Sequence, residues 1–271
     1  MKSQIEVSID NKIIKMVEAF NLSGHALRAI RELLDDKEIQ AAQEFANNVS
    51  IVRLGFNDHG PVHMRKVTQS AIKMLDLLQK AGIKTSLETD GYGTFEDSLL
   101  AVMLATMLHD LGMAVGRQNH EAHSTIIAYP IIDKLLEKIY ENSWQKRVTI
   151  RSVAIEGIAG HMGTISISSL EAGIVQIADG CDMTKGRARI PIALAHPPRV
   201  GHIHQYSANS IEEVKIKEGS EKPIRIDVIM SSEVGLFQVE EVLMHKIAGS
   251  PAKQHIELYA LINDDMERRY L

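Results

Sequence analysis

His109 and Asp110 stand side by side at the end of the most apolar helical stretch in the chain, residues 96–111. An ionised carboxylate inside such a setting is expensive unless a cation or several donors meet it. A divalent metal meets that need and also uses neutral imidazoles. Three further residues fall where they could join the pair. His63 shares a helical row with Val67, Ala71 and Met74, so it faces a packed interior. His161 follows Ala154 and Ile158 at helical spacing, and Asp179 ends a helix whose apolar stripe is Leu170, Ile174 and Ile177. Any one of these histidines alone reads more simply as a hydrogen-bonded core residue. The set on facing helices, with the adjacent His-Asp pair, points to metal-assisted chemistry.

The elements that must position these groups follow from the apolar periodicity. Residues 10–49 read as short helices, with Asp35-Asp36 opening the second. Pro61 fits the first turn of a helix running to Leu78. The helix over 96–111 is apolar all round and is expected to be central, with Gly112 as its stop. Helices near 121–140, 145–160 and 168–183 complete a helical region over 50–185. Residues 186–208 carry Pro191, Pro197, Pro198 and Gly201 and read as a loop. Beyond it, Ile224, Ile226, Val228 and Met230, and later Ile256, Leu258, Ala260 and Ile262, repeat with a period of two around a helix ended by Gly249. The expected fold is mainly α, a helical bundle with a small C-terminal α+β domain. Its divisions are 1–49, an N-terminal helical segment; 50–208, the metal-binding helical domain; and 209–271, a β-β-α-β domain.

Composition narrows the function. The chain has 271 residues, with 30 Lys and Arg against 35 Asp and Glu and a net charge of −5, so coating nucleic acid is disfavoured. One cysteine, Cys181, excludes an internal disulfide and a Cys-rich zinc site. The N-terminal residues show no basic-then-apolar pattern, and the longest apolar stretch is short for a bilayer, so a cytoplasmic protein without membrane attachment is expected.

The order His63, His109-Asp110, Asp179 resembles the HD-domain metal-dependent phosphohydrolases. His63-Met-Arg-Lys-Val67 is similar to that family's first helix, Met107-Leu-His-Asp-Leu-Gly112 to its central signature, and Ile177-Ala-Asp179 to its last ligand. The resemblance covers roughly residues 50–190. It implies a helical bundle holding a divalent metal through His63, His109, Asp110 and Asp179. Members with two metals add histidines at places matched here by His120 and His161, with His123 a competitor to His120. His59, four residues before His63, is either a further ligand or phosphate contact, or merely a neighbour of the helix N-cap. Asp182 reads as a partner of a ligand or as an alternative to Asp179. The cyclic-dinucleotide branch carries Lys where this chain has Met113, and a Gly-Tyr-Pro segment after paired histidines where this chain has His161-Met-Gly-Thr164. That substrate is therefore not carried over.

The implied activity is hydrolysis of a phosphomonoester or phosphodiester, with a nucleotide as a candidate, by a metal-activated water and with Asp110 at the catalytic centre. Arg117, Lys185, Arg187 and Arg189 are candidate clamps for the substrate phosphate. One or two divalent ions are expected, and imidazole plus carboxylate suits Mn, Fe, Co, Ni or Zn, with Mg also open. The expected partner is a small phosphate ester, and a homodimer is expected because a small sheet leaves a face and edges to cover. Two other readings stand beside this one: a nucleotide- or metal-binding regulatory module on the same fold, and a di-iron oxygenase on the same scaffold.

Overall fold

The computed structural model describes residues 2–185, 203–263 and 266–271. Three helices come first: α1 (Gln4–Ala19), α2 (His25–Asp35) and α3 (Lys37–Asn48). Ser3 and Glu6 form a capping box at the start of α1, and Asp36 caps α3 by accepting from the Glu38 and Ile39 N–H groups. The expected opening at Asp35-Asp36 is the start of α3, and a further break, not expected from the sequence, separates α1 from α2. The chain reverses there on two left-handed residues, Asn21 (φ 52°) and Gly24 (φ 102°).

A π-helical turn, Val49–Arg53, leads into α4 (Pro61–Lys80), which has Pro61 in its first turn. After the short α5 (Ser86–Thr89) comes α6 (Phe95–Leu108), every residue of which is buried. A 3-10 turn (Leu111–Ala114), α7 (His120–Ile139), α8 (Trp144–Gly160) and α9 (Leu170–Cys181) follow. The α6 helix is the hub of the bundle and packs against α2, α4, α8 and α9, while α1 lies on α4. Its all-round apolarity follows from that placement, because a helix with neighbours on every side has no wet face. The apolar run Phe95–Ala114 is long enough to cross a bilayer, but 94% of its most apolar 18-residue window is buried inside the protein.

Gly112 does more than end a helix. A Cβ there would lie 2.0 Å from the His120 carbonyl oxygen. Its N–H donates to Ser124 Oγ at 2.7 Å. The missing side chain lets the turn after Asp110 press directly onto the first turn of α7, and this brings His120 beside Asp110.

The C-terminal part begins with α10 (Ile203–Ser210). It continues through β1 (Ile211–Glu218), β2 (Ile224–Met230), α11 (Leu236–Gln238), a π-helical turn (Val239–Leu243), α12 (Met244–Ala248), β3 (Ile256–Ile262) and β4 (Met266–Arg269). The strands form one sheet in the order β1-β2-β3-β4. β1 and β2 are antiparallel, β2 and β3 parallel with Val228 opposite Ala260, and β3 and β4 antiparallel. The expected β-β-α-β unit thus gains a strand, β4, whose Met266–Arg269 is too short and too charged to show a period of two.

One sheet face, with Ile224, Ile226, Val228, Ile256 and Leu258, is fully buried and belongs to the same core as the helices, with β1 and β2 against α4. The other face is covered by its own charged side chains. Arg225 lies 3.7 Å from the Tyr259 ring centre, and both Arg225 and Lys217 pair with Asp227.

Candidate metal centre

Four imidazoles converge beneath the C-terminal ends of α6 and α8 and the N-terminal ends of α4 and α7. Each has its Nδ1 within reach of an acceptor. His63 Nδ1 donates to Asp182 Oδ2 at 2.7 Å, His109 Nδ1 to the Thr106 carbonyl at 2.9 Å, His120 Nδ1 to the Arg117 carbonyl at 3.0 Å and His161 Nδ1 to the Ile158 carbonyl at 2.7 Å. With the proton held at Nδ1, each ring turns a bare Nε2 lone pair inward.

Those nitrogens meet in two pairs. His63 Nε2 is 3.2 Å from His109 Nε2, and His120 Nε2 is 3.1 Å from His161 Nε2. Two lone pairs so close repel unless a cation lies between them. Two nitrogens bound at right angles to one ion, each about 2.1 Å from it, stand about 3.0 Å apart. The spacing fits metal ligation.

Asp110 lies between the pairs. Its Oδ2 is 3.3 Å from both His63 Nε2 and His109 Nε2, while its Oδ1 is 3.3 Å from His120 Nε2 and 3.5 Å from His161 Nε2. The carboxylate is 1% exposed, and its Oδ2 has no hydrogen-bond partner. Burial by itself would raise the Asp110 carboxyl, but positive charge at the neighbouring imidazoles, His109 first, holds it well below the usual carboxylate range and raises His109 in turn, so without an ion a proton takes the place of the cation between them. Burial pushes His161 down to about 4, so its ring is neutral and available as a ligand. Asp179, at the end of α9, places Oδ1 3.1 Å from His63 Nε2 and 3.6 Å from His109 Nε2. The structure therefore gathers six residues in three overlapping groups, His63 with His109 and Asp110, His109 with His161 and Asp179, and Asp110 with His120 and His161, each with ligand atoms close enough to hold a metal ion.

The other sequence candidates lie as follows. His123 is one turn along α7 from the centre and belongs to none of the clusters; the first turn of α7 aims His120 inward instead. His59 is buried, with Nδ1 at 2.6 Å from the Asn57 carbonyl, and lines the cleft above the centre without joining a cluster. Asp182 holds the His63 ring and contacts Lys66. Arg117 lies in the cleft wall, 5.7 Å from the Phe56 ring centre. Lys185 is exposed, pairs with Glu212 at 3.6 Å and lies outside the cleft. Arg187 and Arg189 lie outside the described residues. Cys181 is buried, which pushes its thiol up and away from reactivity.

A cleft of about 570 Å³ opens onto Asp110 and Asp179. Its walls are the Leu54–Asn57 segment, Arg117, Met162 and Met183, together with residues the sequence reading missed, from Gln238 to Lys246. One signal pointed to the last of these. Lys246 follows Val239 and Leu243 at spacings of four and three, which is a lysine set on an apolar stripe.

The model of the HD domain family matches residues 62–184, which span His63, the His-Asp pair and Asp179. An uncharacterized protein of Methanocaldococcus jannaschii is 41% identical over 248 residues, covering 92% of this chain and 93% of the relative. The chain belongs to the HD domain family. No solved structure matches it significantly. HD domain proteins are typically metal-dependent hydrolases, and the buried His/Asp groups of this member are compatible with divalent metal. The 248 matched residues exceed the HD match at 62–184, so the similarity to the Methanocaldococcus jannaschii protein extends beyond the HD domain.

Proposed function

We propose that this HD domain protein is a phosphohydrolase that cleaves a small phosphate ester, a phosphomonoester or phosphodiester, with a nucleotide as the first candidate. The observation that carries the reading is the Asp110 carboxylate, buried between two imidazole pairs at the floor of a cleft large enough for a substrate of nucleotide size. His63, His109, Asp110 and Asp179 would hold one ion, and Asp110, His120 and His161 a second. When bound, divalent ions supply a water made nucleophilic at neutral pH and neutralise charge on phosphoryl oxygens.

The chain's own groups do the rest. Asp182 and the Thr106, Arg117 and Ile158 carbonyls keep the four rings in one tautomer, so that no ring turns its N–H toward the centre. Arg117 and His59 stand in the cleft where a phosphate or the rest of a substrate would enter, and Arg117 suits bidentate contact with phosphoryl oxygens. Phe56, 41% exposed, offers an apolar surface to the remainder of the substrate. The proposed setting is the cytoplasm, and the proposed assembly a homodimer.

The test is a panel of phosphate monoesters and diesters, assayed anaerobically with Mn, Co, Ni or Zn. Phosphate or alcohol release that a chelator stops supports the reading, and activity without oxygen separates it from an oxygenase. Tight metal binding with no turnover on any ester would replace it with a regulatory binding module.

A further inference from the structure

Lys246 lies outside the HD match, in the C-terminal unit, and its charge reaches the candidate centre. It is 5% exposed. Its ammonium donates to Asp179 Oδ2 and, at 2.8 Å, to the His161 carbonyl oxygen. The same Asp179 turns its other oxygen toward His63 and His109. One ammonium therefore ties a carboxylate of the first cluster to the backbone of an imidazole in the second.

Its placement is built by α9. Gln176 Nε2 donates to the Lys246 carbonyl at 2.9 Å, which fixes the backbone of α12. Gly180 leaves room for the stem, since a Cβ there would lie 3.1 Å from both Lys246 Cδ and Leu243 Cδ1. Gly173, one repeat earlier on the same face, sits against Ser250 and Pro251. Residues 173, 176 and 180 follow each other at spacings of three and four, so a single face of α9 receives the C-terminal segment while Asp179 reaches the centre.

We propose that Lys246 is a positioning residue: it holds Asp179 so that only Oδ1 is offered to a metal, and it sets the distance between the two ligand clusters. A carboxylate free to rotate presents either oxygen or both, and partners that orient a ligand are typically worth 10–100-fold in metal affinity. The C-terminal unit then belongs to the metal centre and is no mere appendage of it. The inference rests on the metal-binding part of the functional reading and does not depend on which substrate is cleaved.

The experiment compares full-length parent, Lys246→Met and Lys246→Arg, each stripped of metal and titrated with Mn by calorimetry, with circular dichroism to check the fold. Methionine keeps the stem without the ammonium, and arginine keeps the cationic donors. Lys246→Met is expected to lose tenfold or more in Mn affinity, with Lys246→Arg recovering most of it. Should Lys246→Met fail to fold, Lys246→Gln takes its place with the same expected loss. Unchanged or tighter binding in the uncharged variant would overturn the proposal, because Lys246 would then only neutralise Asp179 and compete with the ion. An equal loss in Lys246→Arg would overturn it too, since the fit of the stem would carry the effect. Parent protein that binds no Mn would sink this inference and the metal reading together. Parent protein that binds Mn, responds to Lys246 as expected and hydrolyses no ester would sink only the reaction.

Discussion

Asp110 contributes opposite oxygens to two clusters, and its substitution separates the metal reading from a purely structural one. In a hydrogen-bonded core, removing a buried carboxylate leaves its partners unpaired and costs stability. In a metal centre the carboxylate and its counter-ion leave together. Asp110→Ala is therefore expected to remain folded while losing bound metal and any hydrolase activity, checked by elemental analysis alongside circular dichroism. Full metal retention would contradict the assignment. His161 groups with Asp110 and His120 and also with His109 and Asp179, and only the first of these groups contains His120. Two ions per parent chain are expected at saturation and one in His161→Ala, measured by mass spectrometry of the bound metal. Identical stoichiometry in both proteins would move the centre to a single ion.

Helix termini place these groups, and the best-braced terminus is the start of α6. Thr94 and Asp97 form a capping box, and Asp97 also accepts from the Tyr140 hydroxyl at 2.7 Å and from Lys146 at 3.0 Å. This joins the hub helix to α7 and α8. Burial alone would raise the Asp97 carboxyl, but the Tyr140 hydrogen bond, the Thr94 N–H and Lys146 together lower it. A folded-state value below the unfolded one means that the stabilisation is present above the unfolded carboxyl pKa and lost as pH falls through the folded value. Asp97→Ala is expected to cost about 3 kcal/mol at neutral pH, from a lost cap and an unpaired buried hydroxyl. The gap to the parent should narrow in acid, as pH falls through the lowered carboxyl pKa of Asp97. Denaturant melts at pH 7 and at a series of acid pH values measure both, and a gap that stays constant across the whole acid range would refute the ionised role of Asp97.

At the scale of the whole molecule, the C-terminal sheet shares its core with the helices and walls the cleft. A chain ending near residue 209 would expose the apolar face of α4 and α9 and lose Lys246. It is expected to be insoluble, or to bind Mn far more weakly than the full chain; a soluble truncated protein with full affinity would show that the helical part is self-sufficient. The sheet face in the sequence argument for a homodimer is covered within the chain, which leaves the edge strands β1 and β4 for the proposed dimer. Light scattering of the full-length protein decides it, with twice the chain mass expected.

Much of the centre was legible because ligands carried by helices declare themselves by periodicity. His63 sits on the Val67–Met74 stripe, His161 on that of Ala154 and Ile158, and Asp179 on that of Ile174, and a polar residue on an apolar stripe must have a partner. The helical bundle and the strands over 224–230 and 256–262 followed from the same two periods, 3.6 and 2.0. Sequence spacing could not choose between His120 and His123, which lie within one turn; the contact of Gly112 with the His120 carbonyl chose. Nor could it pair Lys246 with Asp179, 67 positions apart, or set the Leu54–Asn57 segment opposite Gln238. Periodicity reports which face of an element is buried. Which faces then meet depends on how whole elements dock, and docking is decided by shape and charge summed over residues far apart in the chain.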